Sequence, residues 1–340
     1  MTTPADHRGD DYLWDRSGSV DPAVADLERR LAPLAYDAAI RPLALRARGP
    51  RRLRIVVLAG TIAASLVLAA GFWFYHWRLE WPADRAWTML LRSTGETASS
   101  QLQVGQPLAV PSPTSARIDV ARLGTIDAVS GTELTLSATD SNHHRVQLTR
   151  GTVDVRLWAP PGAVSFRTPA GDVIDLGCFF QLAVDADGIA RLAVRSGWVK
   201  LDNAFGESLV PAGASSLMQS DRRPFVPVYD DAAPAFGQSV RAFERADTTE
   251  GQILQLPTIA RQVRERDVVT LLMLAARVDG NVRSQLLDVA AKISPPPAAL
   301  NLKAAAAGDN EAVWKWIDAL ALPPVKGWWR NWRDAFPRSR

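Results

Sequence analysis

Apolar and polar residues change their rhythm several times along this chain, and each change marks a different kind of element. Near the N-terminus Val24, Leu27, Leu31 and Leu34 recur at helical spacing, behind Asp21 as an N-cap and Pro22 as a first helical residue. Pro33 and Pro42 limit the length of that helix, and Tyr12, Leu13 and Trp14 add an apolar patch in front of it. About forty residues bury little by themselves, so this piece is expected to need a partner or to stay loosely ordered.

From Ile55 to Trp77 the rhythm disappears, and the chain reads IVVLAGTIAASLVLAAGFWFYHW without a permanent charge. At ~1.5 Å per residue this run reaches ~34 Å, enough for a hydrocarbon core of ~30 Å. Arg46, Arg48, Arg51, Arg52 and Arg54 precede it, whereas Arg78, Glu80, Asp84 and Arg85 balance one another after it. The positive-inside rule then predicts a cytoplasmic N-terminus, with everything after Trp77 outside. Phe72, Trp73, Phe74, Tyr75, Trp77 and Trp81 gather at the far end like an interfacial belt. A cleaved signal peptide would start nearer residue 1 and end in small residues. The expectation is one uncleaved membrane-spanning helix, with the lipid bilayer as a partner.

Between 101 and 218 the period becomes two. Val146 and Leu148 alternate with polar residues, as do Val153, Val155 and Leu157; Phe180, Leu182 and Val184; Leu192 and Val194; Val199 and Leu201. Ser130-Gly131, Asp140-Ser141-Asn142, Pro160-Pro161-Gly162, Asp187-Gly188, Ser196-Gly197 and Phe205-Gly206 supply the turns. Short strands at this spacing predict an all-β sandwich or roll. Residues 219–237 lack a period and read as a linker. A helical period then returns in Ile259–Val278, Val282–Ile293, Leu300–Ala307 and Glu311–Leu322, which predicts a small bundle of helical hairpins. At the end, Trp328, Trp329, Trp332 and Phe336 suit either a capping helix or an interfacial one.

The predicted division is therefore a cytoplasmic segment over 1–54, a transmembrane helix over 55–77, a connector over 78–100, a β domain over 101–218, a linker over 219–237 and a helical module over 238–340. Charge alters this picture little. The net charge is +3, and the six arginines of 41–54 read as a membrane flank rather than a nucleic-acid site. One cysteine, Cys178, excludes an internal disulfide, and its apolar surroundings suggest a buried thiol.

Candidate chemistry is sparse. The histidines are His7, His76, His143 and His144, and no Cys, Asp or Glu cluster at ligand spacing accompanies them. No nucleophile elbow, HExxH, phosphate loop or dinucleotide fingerprint occurs. Asp172 and Asp175 read as solvated strand-face carboxylates. The sequence predicts no catalytic, cofactor or metal residue, and no enzyme. Trp158 and Trp198 leave a glycan-binding sandwich as an alternative.

The stretch Leu148–Gly213 resembles the FecR domain family, the exported part of bacterial transmembrane signal transducers that work with cytoplasmic sigma factors. The resemblance is carried by "LTRGTVDV" with Arg150 and Gly151, and by "VSFRTPAGDVIDLGCFFQLAVD" with Thr168, Gly171, Gly177 and Phe180. "ARLAVRSGWVKL" with Gly197 and Val199 follows, then "LVPAGAS" with Gly213. Cys178 stands where that family often has Thr. Phe166 and Phe180 would fill a sandwich core. The resemblance implies a FecR-like exterior domain in the bacterial inner membrane, acting as an anti-sigma-type regulator of a sigma factor or similar cytoplasmic partner, with an envelope protein as a further partner. The segment before residue 41 does not reproduce the family's Trp-bearing anti-sigma segment, and the chain ends in helices, so no iron-transport role is carried over. A structural or assembly role in the envelope is the other expectation.

Overall fold

A computed structural model describes residues 17–35, 51–93 and 95–322, and for 51–59 the backbone alone. The predicted patch at Tyr12–Trp14, His7, Arg46 and Arg48, and the stretch from Trp328 to Phe336 lie outside the described residues. Contacts divide the chain into two units, Met1–Val67 and Leu68–Arg340.

In the first unit, helix α1 (Pro22–Leu31) starts where Asp21 Oδ1 accepts a 2.7 Å hydrogen bond from the Ala23 amide. A 3₁₀ turn, Ala32–Leu34, continues it. No residue of α1 is buried. Helix α2 then runs continuously over Arg51–Leu79.

The expected membrane tether is overturned. Among the described residues no helix is long and apolar enough to cross a membrane. The described side chains of α2 begin at Gly60, and Thr61, Ser65, Tyr75, His76 and Arg78 dilute its apolar character. Ile55–Ala59, on which the expectation also leaned, lie outside the described side chains. The architecture is a sheet-rich domain with helices, without the single-span tether.

Among the described residues fifteen strands build the second unit's sheets. They are β1 (Trp87–Arg92), β2 (Thr97–Leu102), β3 (Pro107–Ala109), β4 (Ser115–Val120), β5 (Gly124–Ala128), β6 (Glu133–Asp140), β7 (His143–Leu157) and β8 (Val164–Thr168). They continue with β9 (Gly171–Asp175), β10 (Phe179–Val184), β11 (Ala190–Ser196), β12 (Trp198–Asn203), β13 (Gly206–Pro211), β14 (Ala214–Met218) and β15 (Val228–Tyr229). One sheet runs β2-β1-β4-β5-β7-β10-β11-β14-β15, the other β3-β6-β7-β8-β9-β12-β13. Strand β7 belongs to both. Its first half pairs with β6 and, in parallel, with β8; its second half pairs with β5 and β10. The change of sheet falls at Arg150-Gly151, where Gly151 has φ +97° and a Cβ would stand 2.4 Å from Thr132 Cα. Only glycine fits there.

The alternating positions fall inward: Val146, Leu148, Val153, Val155 and Leu157 are all buried. Phe166 and Phe180 meet edge-to-face in the core, with centroids 5.8 Å apart. Strand β1 and most of β2 lie in the stretch predicted as a connector, and β2 runs two residues past its end. Phe225, Val226, Val228 and Tyr229 are buried in the stretch predicted as a linker.

Among the described residues six helices follow: α3 (Pro234–Arg245), α4 (Thr249–Gln262), α5 (Val268–Ala275), α6 (Gly280–Ile293), α7 (Leu302–Ala306) and α8 (Asn310–Ala319). The periodic run Ile259–Val278 is not one helix. Arg264 adopts an extended backbone, and Asp267 accepts from its amide at 3.0 Å and its Nε at 2.7 Å, so the chain restarts into α5. The sheets and helices share one core, in which Val226 and Tyr229 join Phe236, Val240, Leu271 and Trp316.

Candidate functional site

The first candidate surface is the apolar face of α1 and the 3₁₀ turn that continues it. Leu27, Leu31 and Leu34 are 56%, 50% and 79% exposed. Asp26 pairs with Arg29 and Arg30 at 3.3 and 3.0 Å, which leaves the leucine stripe free of charge. Three exposed leucines on so short an element are a contact surface in search of a counterpart.

The second is the joint where α2 meets the sheets. Arg78 lies over the Trp158 ring, 3.9 Å from its centroid, and Arg122 lies 4.2 Å over the Trp77 ring. Arg122 Nη1 also donates to the carbonyls of Trp77 and, at 3.0 Å, Glu80. These carbonyls belong to the last turn of the helix and the residue after it, where intrahelical partners run out. The Asn142 amide donates to the Leu79 carbonyl at 3.1 Å, and the Trp81 amide donates to Ser141 Oγ at 3.1 Å. Burial lowers the Arg78 guanidinium to about 10.

The third is a polar seam where the second sheet meets the helices. Glu244 on α3 accepts from the Val226 amide at 3.0 and 3.1 Å and from Arg277 Nη1 at 2.6 Å. Arg277 also donates to the carbonyls of Pro224 and Glu207. Burial pushes the Glu244 carboxyl up to about 7 against the pull of Arg277, and burial likewise lowers Arg277. Two cavities, about 240 and 330 Å³, open on this seam and share Arg223 and Arg277 in their walls.

The residues singled out by sequence are not brought together. His143 is exposed and His144 buried at the start of β7, so the pair faces opposite ways. His144 Nδ1 lies 2.8 Å from Thr139 Oγ1, which accepts from Trp87 Nε1 at 3.0 Å. Cys178 is buried, with its amide donating to Asp175 Oδ1 at 2.9 Å and its thiol against the same oxygen. Asp175 is itself fully buried rather than solvated, because its carboxylate caps the turn into β10. Asp172 pairs with Arg167 at 2.8 Å on the surface, and the Arg167 hydrogen bond lowers its carboxyl. Trp158 and Trp198 are buried, and Arg78 covers the face of Trp158, so neither offers an open ring to a glycan. Among the described residues no group of three or more His, Cys, Asp or Glu is placed to hold a metal.

Sequence reasoning missed Glu244 and Arg277. A signal existed: Phe236, Val240 and Phe243 form an apolar stripe, and Glu244 stands on its margin, where a carboxylate must find a partner.

No protein-family model matches the chain, so the FecR resemblance gains no family-level confirmation, and no curated protein matches it. Among solved structures it is similar to a "putative anti-sigma factor" from Parabacteroides distasonis ATCC 8503, known as two crystal structures at 1.65 and 2.50 Å resolution. The first is 18% identical with a TM-score of 0.32, over 41% of this chain and 64% of that one. The second is 17% identical with a TM-score of 0.32, over 45% of this chain and 74% of that one. The chain thus spans less than two thirds of the length of the first.

Proposed function

We propose that this chain is a regulatory binding protein of the anti-sigma type rather than an enzyme. Helix α1 would engage a cytoplasmic regulator such as a sigma factor, and the sheet-and-helix unit would be the part that senses. The observation carrying this reading is the leucine stripe of α1, which nothing described in the chain covers, in a unit separate from the FecR-like strands. An amphipathic helix that buries nothing of its own is suited to bind in a partner's groove. The FecR-like residues support the second half of the reading. They fall on the bend of β7, the β8–β9 turn and the turn at Gly197 where the chain passes from β11 in one sheet to β12 in the other, and there they set the frame of the sheets.

The test is capture of the sigma factor encoded nearest this chain's gene by the full-length protein. Leu27→Asp with Leu31→Asp should abolish capture and leave the melting temperature unchanged, because both side chains are exposed. A wild-type chain that captures no sigma factor, or a double variant that captures it as well as wild type, rejects the proposal.

A further inference from the structure

The cavity of about 240 Å³ between β13, the end of α5 and the start of α8 is walled in part by an exposed arginine, Arg223, which feels the Glu244 carboxyl only from beyond ion-pair distance. Its walls hold four charged or aromatic side chains: Arg223, Arg277, Glu207 and Trp314. Arg277 pairs with Glu244, while Glu207 shares Lys200 with Asp202, at 3.4 and 3.0 Å. Arg223 is different. Its Nε donates to the Phe205 carbonyl at 3.2 Å, and among the described residues no carboxylate lies within ion-pair distance of it. Room is made for this guanidinium: at Gly206, with φ +135°, a Cβ would stand 2.6 Å from Arg223 Nε. A second guanidinium, Arg277, shares the wall and is already paired with Glu244, which leaves Arg223 as the cavity's available fork.

Trp314 supplies the other half. The core-facing stripe of α8 is Val313, Trp316 and Ile317, all buried. Trp314 stands off that stripe, 37% exposed, in the cavity wall. Packing does not account for an indole there. Asn310, also in the wall, accepts from Arg283 through Oδ1 at 2.9 Å, which leaves its amide nitrogen to donate.

We propose that this cavity binds an acidic sugar. The carboxylate pairs with Arg223 as a fork on a fork. The ring lies against the Trp314 face, and a hydroxyl meets the Asn310 amide. A volume just under the ~300 Å³ at which drug-sized pockets begin suits one ring rather than a chain of them. The adjoining cavity of about 330 Å³, reached past Arg223, holds substituents. The site is remote in sequence from α1, and ligand binding is read on the chain alone, without any protein partner.

The test is calorimetric titration of the full-length chain with D-glucuronate, D-galacturonate and N-acetylmuramate. D-glucose is the arm with a ring and no charge; acetate and inorganic phosphate are the arms with charge and no ring. At least one acidic sugar should bind, about tenfold or more tighter than glucose, acetate or phosphate. Arg223→Gln and Trp314→Ala should each weaken it by about tenfold, and Arg223→Lys less, with melting temperatures unchanged. If Trp314→Ala does not fold, Trp314→Gln and ligand quenching of wild-type indole fluorescence replace it. Absence of binding to all three sugars overturns the proposal. So does phosphate or glucose binding as tightly as the best acidic sugar, or affinity indifferent to both substitutions.

Discussion

Arg277 Nη1 lies 2.6 Å from Glu244 Oε1, and this pair is nearly enclosed where the helices meet the second sheet. A buried pair adds little over an apolar replacement of the same shape, but removing one partner strands the other. Arg277→Leu should therefore destabilise the fold by about 3–5 kcal/mol, measured by urea unfolding, and more than Glu244→Gln, which keeps a hydrogen-bonding side chain.

The same carboxyl makes stability depend on pH. Burial raises Glu244 from the ordinary 4.5 to about 7, so between those values the folded chain keeps a proton that the unfolded chain has released. Its contribution is full below pH 4.5 and is lost as pH rises through 7. Glu244→Gln should flatten that part of the stability curve.

His144 works in the opposite sense. Burial, with His143 beside it, lowers His144 to about 4, so the unfolded chain binds the extra proton first. Thr139 Oγ1, which accepts from Trp87, lies against His144 Nδ1 in the same buried cluster. Stability from this group is full above pH 6.5 and falls as pH drops toward 4. Wild type should lose stability on acidification from 6.5 to 4 more steeply than His144→Gln, in unfolding curves collected across that range.

At the α2 joint, Arg122→Ala removes the donor to the Trp77 and Glu80 carbonyls together with the ring contact. The expected result is faster hydrogen exchange over residues 76–81, by an opening free energy about 1 kcal/mol smaller, with exchange in β7 unchanged.

Gly151→Ala should be strongly destabilising. It forces a side chain into a left-handed backbone and against Thr132 Cα. A loss of about 2 kcal/mol or more is expected in denaturant unfolding, whereas Gly131→Ala, with open space around it, should cost less.

The strand interiors were legible because a half-buried strand has to alternate; Val153, Val155 and Leu157 read correctly from spacing alone. The α1 cap was equally local, since Asp21 and Ala23 are two residues apart. What escaped was set by distant partners. Arg264 breaks a run of perfect helical period because Asp267 offers its backbone amide a better bond. Asp175 looked like a solvated carboxylate, since nothing in the sequence shows that its turn is roofed by core. The membrane run failed differently: its arginine flank and aromatic end were read as a span, but the polar residues from Thr61 to Arg78 leave the described helix short of the apolar length needed. Arg223 and Trp314 were invisible as a pair, being about ninety residues apart and joined only by the cavity whose wall they share.

Strand β7 carries one further consequence. Its neighbours β5 and β6 precede it in the chain, while β8 and β10 follow it. No cut between 124 and 184 leaves either half with a complete set of partners. During synthesis the strand must wait, unpaired on two edges, until β10 has emerged. Such long-range closure is slow, and it makes this stretch the domain's most exposed moment to aggregation. A protease that nicks the folded chain here should release nothing until the whole sheet pair unfolds.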